Sequence, residues 1–113
     1  MNKPEINQPG IIKPALEKAD DGRLRLSGEL SFQTVPLLIA SNQYLFADDF
    51  DTGCELNIDL DQVSRADSAG VALLIEWQRQ ARQKNRAIYF HNIPSKMLAI
   101  ARLSGVDEIL SLK

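Results

Sequence analysis

The stretch IDLDQVSRADSAGVALL, residues 58–74, decides the fold that this chain adopts. Its first residues end a segment, Glu55 to Leu60, in which apolar and polar residues alternate, and this alternation predicts a half-buried β-strand. Its last residues begin a segment, Asp67 to Arg86, in which apolar residues recur at helical spacing. The residues expected to face the core are Leu56, Ile58, Leu60, Val71, Leu74, Ile75 and Ala81. A strand, a polar loop and a long helix in this order predict one half of a crossover unit in a parallel sheet.

A β-hairpin and a further helix are predicted on the N-terminal side of this stretch. The segments Ala15–Ala19 and Arg23–Ser27 flank the turn signal Asp20-Asp21-Gly22, because Asp and Gly tolerate the positive φ angles of tight turns. The two segments therefore form the expected hairpin. Ser31 to about Asp48 has a helical pattern, and Pro36 fits its first turn, where the missing N–H is harmless.

Three elements are predicted on the C-terminal side: a strand at Ala87–Asn92, a helix at Ser95–Leu103 and a short terminal strand at Val106–Leu112. Ser95 is the expected N-cap of this helix and Gly105 its C-terminal stop. Helices that alternate with strands imply largely parallel pairing, to which the hairpin adds an antiparallel edge. The sequence therefore predicts an α/β fold, a small mixed β-sheet with helices packed mainly on one side.

The composition is that of a single small globular domain. The chain has 113 residues, of which 44% are hydrophobic and 25% are charged. Three of its five prolines lie within residues 1–14, which we expect to be a flexible lead-in to one domain at 15–113. The net charge of −2 lacks the basic surplus that a nucleic-acid binder uses to neutralise phosphates.

The chain contains few residues with reactive side chains. One histidine and one cysteine exclude an internal disulfide and a cysteine-based metal cluster, and they leave little catalytic machinery. No apolar run approaches the roughly 20 residues of a membrane span, and the N-terminus shows no secretory signal. We therefore expect a cytoplasmic protein that is not an enzyme and that holds no cofactor and no metal.

The stretch around residue 68 resembles the core of STAS domains, the sulfate transporter and anti-sigma factor antagonist family. The resemblance covers nearly the whole chain after the lead-in, because Leu26–Leu30 and Ala101–Val106 also fall where the family has such segments. Val63–Ser68, followed by Gly70 and an Ala-Leu-Leu helix, looks most like one branch, the small cytoplasmic STAS subunit of the Mla phospholipid ABC transporter of Gram-negative envelopes (the MlaB family). This resemblance implies a subunit that docks on the ATPase of the transporter, supports its assembly or activity and reaches the membrane only through that partner.

Ser68 occupies the position that a partner kinase phosphorylates in the anti-sigma factor antagonists of this family, which breaks their complex. A phosphate would add about −1.5 to −2 charges beside Asp67. The residues alone also allow Ser68 to be a cap, with its hydroxyl accepting from a backbone N–H two or three residues on. The resemblance thus leaves an alternative function, an anti-sigma factor antagonist that binds an anti-sigma kinase and is switched at Ser68.

The start of the long helix is the expected partner surface. Small residues there leave backbone N–H groups accessible, and a helix N-terminus carries partial positive charge. Leu73 and Trp77 form a second apolar face, which is either an exposed anchor for a partner or the margin of a widely buried helix. The loop after Pro94 follows the end of a neighbouring strand and is expected to join this surface. The predicted interface residues are Asp67, Ser68, Ala69, Gly70, Ala72, Leu73, Glu76, Trp77, Ser95, Lys96 and Met97.

The remaining polar residues indicate little chemistry. His91 has no second histidine or cysteine at ligand spacing, so we expect it to be a structural or surface residue. Asp59 and Asp61 alternate at a strand end and are expected to be solvated, not paired for acid–base work. Cys54 is expected to behave as a small apolar residue. The basic cluster from Arg79 to Arg86 is expected to be a solvated helix face, although it also suits an anionic partner or the inner membrane surface.

Overall fold

The computed structural model describes residues 13–19, 23–41 and 55–113, and these residues form a four-stranded sheet and three helices. The strands are β1 (Ala15–Lys18), β2 (Leu24–Leu30), β3 (Glu55–Ala66) and β4 (Ala87–His91), and the helices are α1 (Val35–Ser41), α2 (Ser68–Gln83) and α3 (Ser95–Leu103). The strand order is β1-β2-β3-β4, with β1 antiparallel to β2 and the other pairs parallel. The predicted α/β fold with a small mixed sheet is confirmed.

The helices pack against the apolar face that the alternating pattern of the strands creates. The side chains that face the helices from the three parallel strands are buried, among them Leu26, Ile58 and Phe90. Helix α2 contacts β3 and β4 beneath it, and it also contacts α1 and α3. Burial of this apolar surface is the main source of stability, at about 25 cal/mol per Å². The intervening positions of β3 carry polar side chains, and Asn57 and Asp59 hydrogen bond to residues at the end of β4.

Gly28 is the position in β2 at which the backbone requires glycine. Its φ of +89° lies in the left-handed region, which side chains with a Cβ rarely adopt. A Cβ at this position would also collide with the backbone carbonyl of Lys13. The pairing of β2 with β3 shifts register just before Glu29, which indicates a bulge next to the glycine. Gly28 therefore lets the chain before β1 lie directly against β2.

Two of the predicted boundaries around the long helix are wrong. Strand β3 continues to Ala66 through residues predicted to form a polar loop, because these residues pair with β2 as far as Leu30. Helix α2 ends at Gln83 and not at Arg86, because the chain turns at Asn85, whose φ is +57°.

The predicted terminal strand at Val106–Leu112 is also wrong. Residues 107–109 form a turn, and the strand is reduced to a single bridge between Phe90 and Leu112. Two backbone hydrogen bonds hold the tail against β4: Phe90 N donates to the carbonyl of Ser111 at 3.0 Å, and Lys113 N donates to the carbonyl of Phe90 at 2.9 Å. The end of the chain is thus fixed to the edge of the sheet.

Several predicted features lie outside the described residues. They include the first twelve residues of the lead-in, the turn at 20–22, and residues 42–54, which hold the second part of the first predicted helix and Cys54. Within the described residues, α1 begins at Val35 and not at the predicted Ser31, because residues 31–34 form a turn. Pro36 lies in the first turn of the helix, as the sequence predicts. No helix among them is long and apolar enough to cross a lipid bilayer.

Candidate functional site

The predicted partner surface lies where three parallel strands end. Strands β2, β3 and β4 run in the same direction, so their carboxyl ends meet at one edge of the sheet. Three connections leave this edge: residues 31–34 lead to α1, Asp67 leads to α2, and residues 92–94 lead to α3. The topology therefore brings together segments that are about 30 residues apart in sequence, as expected for ligand and partner sites in open α/β sheets.

Asp67 is the residue that organises this edge, because its carboxylate joins two segments. The side chain caps α2, with Oδ1 accepting from Ala69 N at 2.8 Å. Oδ2 accepts from Phe32 N at 3.3 Å, which ties the loop before α1 to the start of α2. The backbone N–H of Asp67 also donates to the carbonyl of Leu30 at 3.0 Å.

The capping role predicted for Ser68 is therefore wrong. Asp67 has the extended backbone of an N-cap, with φ −117° and ψ −164°, whereas Ser68 is the first residue of the helix. Its side chain is exposed. A Ser68 hydroxyl that is not used as a cap remains accessible to a partner or to a modifying enzyme.

A compact set of hydrogen bonds fixes the loop that leaves β2. Thr34 is fully buried, and its hydroxyl donates to the carbonyl of Glu29 at 2.5 Å and accepts from Ser31 N at 2.9 Å. The hydroxyl of Ser31 donates to the carboxylate of Glu29 at 2.8 Å. Because these groups satisfy one another, the loop holds Phe32 in a defined position at the surface.

Phe32 is the residue of this site that sequence reasoning missed. It is 74% exposed, although a phenylalanine normally gains free energy by burial. Its backbone is hydrogen bonded to Asp67, so it lies next to the start of α2. The available signal was an aromatic residue at the start of the segment predicted to be helical. In the structure it lies in the turn at 31–34 before α1, where packing does not require an apolar side chain. We call the surface formed by Phe32, Asp67, Ser68 and Ala72 the loop–helix surface.

The predicted interface residues divide into exposed and buried sets. Ser68, Ala72, Ser95 and Lys96 are exposed, whereas Asp67, Ala69 and Glu76 are half-buried. Gly70, Leu73, Trp77 and Met97 are buried.

Leu73 and Trp77 do not form an exposed anchor, and that interpretation is wrong. They are 2% and 5% exposed, because α2 is covered by the sheet and by the two helices that it contacts. The alternative, a helix buried over a wide arc, is confirmed. Met97 is likewise part of the core and not of the surface after Pro94, since it is fully buried between α3 and the rest of the domain.

Gly70 sets how closely α2 approaches β2. A Cβ at this position would lie 2.9 Å from Leu30 Cβ and 3.2 Å from the Leu30 carbonyl oxygen. Cβ atoms in protein structures rarely come this close to non-bonded atoms. The glycine therefore acts through close packing, and it places Ser68 at the rim of the sheet.

Glu76 lies about two turns after Ser68 on α2, and its carboxylate is paired with Arg79. Its carboxylate accepts from Arg79 Nε at 3.0 Å and from Arg79 Nη2 at 2.6 Å. It also accepts from Gln80 Nε2 at 2.7 Å. The hydrogen bonds from Arg79 and then Gln80 hold the pKa of Glu76 below its usual value, so the side chain is a carboxylate at neutral pH.

The N-cap predicted for α3 is wrong as well. Pro94 occupies the N-cap position with φ −60° and ψ 145°, and no side chain caps the helix. Ser95 is the first helical residue, because the fixed φ of proline already suits the entry to a helix. Ser95 and Lys96 are exposed on this first turn.

His91 and Asp59, on the polar face of the sheet, are hydrogen bonded to neighbouring polar side chains. His91 Nε2 lies 2.8 Å from Asn57 Oδ1, and burial followed by the charge of Arg23 lowers the pKa of His91. Burial alone would raise the pKa of Asp59, but hydrogen bonds from Asn92 and from the N–H of Asp61, together with the charges of Arg23 and Arg25, hold the pKa below its usual value. No group of three or more potential ligands in the described part of the chain is arranged to hold a metal ion.

Two solved structures with the same fold are anti-sigma factor antagonists. One, from Mycobacterium paratuberculosis, has a TM-score of 0.67 and 24% sequence identity, and the match covers 92% of this chain and 86% of that chain. Another is SpoIIAA in its unphosphorylated form, with a TM-score of 0.64 and 17% identity over 88% of this chain and 87% of that chain. Comparison with curated protein sequences gives no match. These likenesses define the fold as that of a STAS domain.

A family model described as "Mlab, STAS domain" matches residues 15–111. Because this match spans most of the chain, the chain belongs to that family of STAS domains. The fold and the family are consistent with a binding or regulatory role, since STAS domains are protein-interaction modules.

Proposed function

We propose that this protein is a non-catalytic subunit that docks on the ATPase of a phospholipid-transport ABC complex through the loop–helix surface. Membership of the family described as Mlab supports this choice of partner. In this role the protein works in the cytoplasm and reaches the inner membrane only through its partner. It supports assembly or activity of the transporter by binding, with no chemistry of its own.

The exposed Phe32 is the observation that carries the docking proposal. A rigid loop presents its ring at the surface, and the Phe32 N–H is hydrogen bonded to Asp67, the residue before the exposed Ser68. Ala72, one turn further along α2, is exposed and has a short side chain. Aromatic residues are enriched in the centres of protein interfaces, and small neighbours allow a partner to approach closely. Ser95 and Lys96 leave the same edge of the sheet and extend the surface with polar groups. A buried aromatic centre with a polar rim is the usual composition of an interface.

Co-purification with the ATPase tests this proposal. The tagged protein is expressed with the ATPase and permease of its transporter, and the retained ATPase is quantified. We expect Phe32→Ala to weaken the complex by about 2 kcal/mol, roughly 30-fold in Kd, as for an aromatic hot spot. Ser68→Arg and Ser68→Asp should weaken it as well, because bulk or charge then lies in the centre of the contact.

Leu103→Ala is the matched control for loss of an exposed apolar side chain. Leu103 is 89% exposed at the far end of α3, away from the strand ends that carry the loop–helix surface. This variant should retain the ATPase as the wild type does. If Phe32→Ala and both Ser68 variants also retain it fully, the loop–helix surface is not the docking site.

A second function, an anti-sigma factor antagonist, is favoured by the exposed hydroxyl of Ser68. Because Asp67 is the cap, Ser68 does not have to leave a capping bond before a kinase modifies it. A phosphate would add its negative charge beside the Asp67 carboxylate, in the surface that the partner contacts, and the cost of desolvating both charges would weaken the complex. Intact mass spectrometry after incubation with a partner kinase and ATP tests this function. A gain of about 80 Da, the mass added by one phosphate group, that is absent in Ser68→Ala supports this function.

A further inference from the structure

We propose that a pocket at the carboxyl end of α2 binds a small phosphate monoester through Arg86 and Arg82. The pocket has a volume of about 250 Å³ and lies at the opposite end of α2 from Ser68. Its walls come from the last turns of α2, the start of β4 and the C-terminal tail. Its lining includes Gln78, Arg82, Asn85, Arg86, Tyr89 and Ser111.

The first observation is that one guanidinium nitrogen of Arg86 lacks a hydrogen-bond acceptor among the described residues. Its Nη2 atom is shut off from solvent and has no hydrogen-bond partner in the described part of the chain. A buried guanidinium nitrogen without an acceptor is unfavourable, and native structures rarely leave such a group unsatisfied. An oxyanion that enters the pocket would supply the missing acceptor after a small rotation of the Arg86 side chain.

The charge of the lining is the second observation. Arg82 lines the pocket together with Arg86, and no aspartate or glutamate is among its described lining residues. Lys113 adds a third cation at the border, with Nζ 4.3 Å from the centre of the Tyr89 ring. Exposed basic residues are ordinary on a helix, but here two arginines at one helix end line the same concavity.

Gln78 holds residues 109–111 of the C-terminal tail in place as one wall of the pocket. Its amide nitrogen donates to the carbonyl of Ile109, and its amide oxygen accepts from Ser111 N at 2.8 Å. This side chain is buried and is hydrogen bonded to the tail through both its amide nitrogen and its amide oxygen, so it shapes the pocket. The pocket is therefore built by specific contacts between α2 and the tail.

The carbonyl groups at the end of α2 do not oppose an anion as strongly as bare helix ends do. The last carbonyls carry partial negative charge, which repels anions. Here three of them already accept bonds from the N–H groups of Lys84, Asn85 and Arg86. The guanidinium charges of Arg82 and Arg86 therefore dominate the pocket.

The chemistry of the lining favours a phosphate monoester over a simple carboxylate. A planar carboxylate is satisfied by one guanidinium group in a two-pronged contact. A phosphate monoester carries close to two negative charges and three acceptor oxygens, so it engages two guanidinium groups at once. Ile88 and Tyr89 also line the pocket, and its volume of about 250 Å³ leaves room for a small organic group on the phosphate.

Binding of defined probes to the full chain tests the proposal. Glycerol 3-phosphate and inorganic phosphate are titrated by calorimetry and by amide chemical-shift changes, with acetate as the carboxylate control. We expect saturable binding of glycerol 3-phosphate, with shift changes at residues 85–89 and 111, and much weaker binding of acetate. Phosphatidylcholine vesicles with and without phosphatidic acid form a second arm, because a lipid headgroup carries the same monoester.

Arg86→Met and Arg82→Met test the role of the two arginines, with Arg102→Met as the control. Each arginine variant should weaken binding by about tenfold or more, as expected for loss of hydrogen bonds to a charged group. Arg102 is exposed on α3 and does not line the pocket, so its variant should bind as the wild type does. Arg86→Met should be at least as stable to heat as the wild type, because it removes an unsatisfied buried nitrogen.

The outcomes separate the two sources of the phosphate and also allow refutation. Binding of glycerol 3-phosphate that depends on Arg86 supports a soluble ligand. Binding of the phosphatidic acid vesicles alone, again lost in Arg86→Met, supports a lipid headgroup. If neither probe binds, or if Arg86→Met binds both as well as the wild type, the pocket is not a phosphate site. A large loss of thermal stability in Arg86→Met would also overturn the proposal, because it would show that Arg86 is satisfied within the fold.

Discussion

A methyl group at position 70 tests how tightly α2 is pressed against the sheet. In Gly70→Ala the new carbon would lie 2.9 Å from Leu30 Cβ, 3.2 Å from the Leu30 carbonyl oxygen and 3.3 Å from Ala66 Cβ. These neighbours are backbone or attached directly to it, so they cannot rotate away as the end of a long side chain can. Leu30 is fully buried and has no solvent to move into. The helix itself must therefore shift away from β2 and β3.

Two opposing contributions decide the size of the effect. Alanine is favoured over glycine inside a helix by about 1 kcal/mol, which alone would make the variant more stable. Overpacking of a close-packed interior costs about 1–3 kcal/mol, and the rigid neighbours of Gly70 favour the upper part of that range. The expected net result is a loss of about 1–2 kcal/mol, or a fall in Tm of roughly 4–8 °C for a domain of this size.

Urea unfolding followed by tryptophan fluorescence measures this effect. Trp77 is the only tryptophan in the chain and is 5% exposed, so its emission reports the packing of α2 directly. Ala72→Gly is the matched control, because Ala72 is exposed on the same helix and its variant isolates the propensity difference. That control should lose about 1 kcal/mol. A Gly70→Ala protein as stable as the wild type, or more stable, would refute the close-packing argument.

Three further predictions concern the fold. Asp67→Ala should lower the free energy of unfolding by about 1 kcal/mol, because the Asp67 carboxylate caps α2 through Ala69 N. Asp67→Asn should retain most of this stability in the same urea experiment, because asparagine also caps helices. Gly28→Ala should cost at least about 1 kcal/mol, since φ is +89° and a Cβ would strike the carbonyl of Lys13; an unchanged Tm would contradict this. His91 is the only histidine, and burial lowers its pKa below 6.5, so the folded state resists its protonation. Its contribution to stability should be complete above pH 6.5 and should be lost as the pH falls from there through the pKa of the folded state; His91→Gln should lack this step in a pH series of urea midpoints.

The sheet was predictable because its strands carry an unambiguous pattern. The alternation from Glu55 to Leu60 gives one apolar face, and the helical spacing after Asp67 gives the element that covers it. The errors arise where two signals compete. Asp67 and Ser68 are both good capping residues, and the backbone of Asp67 at the end of β3 decides between them. The tail is similar, because its apolar residues suit a strand but the turn at 107–109 leaves only Leu112 in register with β4.

The candidate site was predictable in place but not in composition. A strand that ends before a helix start of small residues indicates the correct edge of the sheet, and the structure keeps Ser68 and Ala72 exposed there. The burial of Trp77 depends on how α1 and α3 lie beside α2, which no local pattern in the sequence specifies. Phe32 comes from a segment more than 30 residues away, and only the bond between its N–H and Asp67 reveals that it belongs to the site.

The two proposed sites lie at opposite ends of α2, and this separation makes their functions independent in experiment. The helix has 16 residues, so its ends are about 24 Å apart at 1.5 Å per residue. The charge of a bound phosphate is largely screened over this distance, which exceeds two Debye lengths at physiological salt. Phe32→Ala should therefore leave binding of glycerol 3-phosphate unchanged, and Arg86→Met should leave retention of the ATPase unchanged. If each variant instead impairs both retention of the ATPase and binding of glycerol 3-phosphate, the two sites are coupled. A rigid-body shift of α2 against the sheet at Gly70 would then link the two ends of the helix.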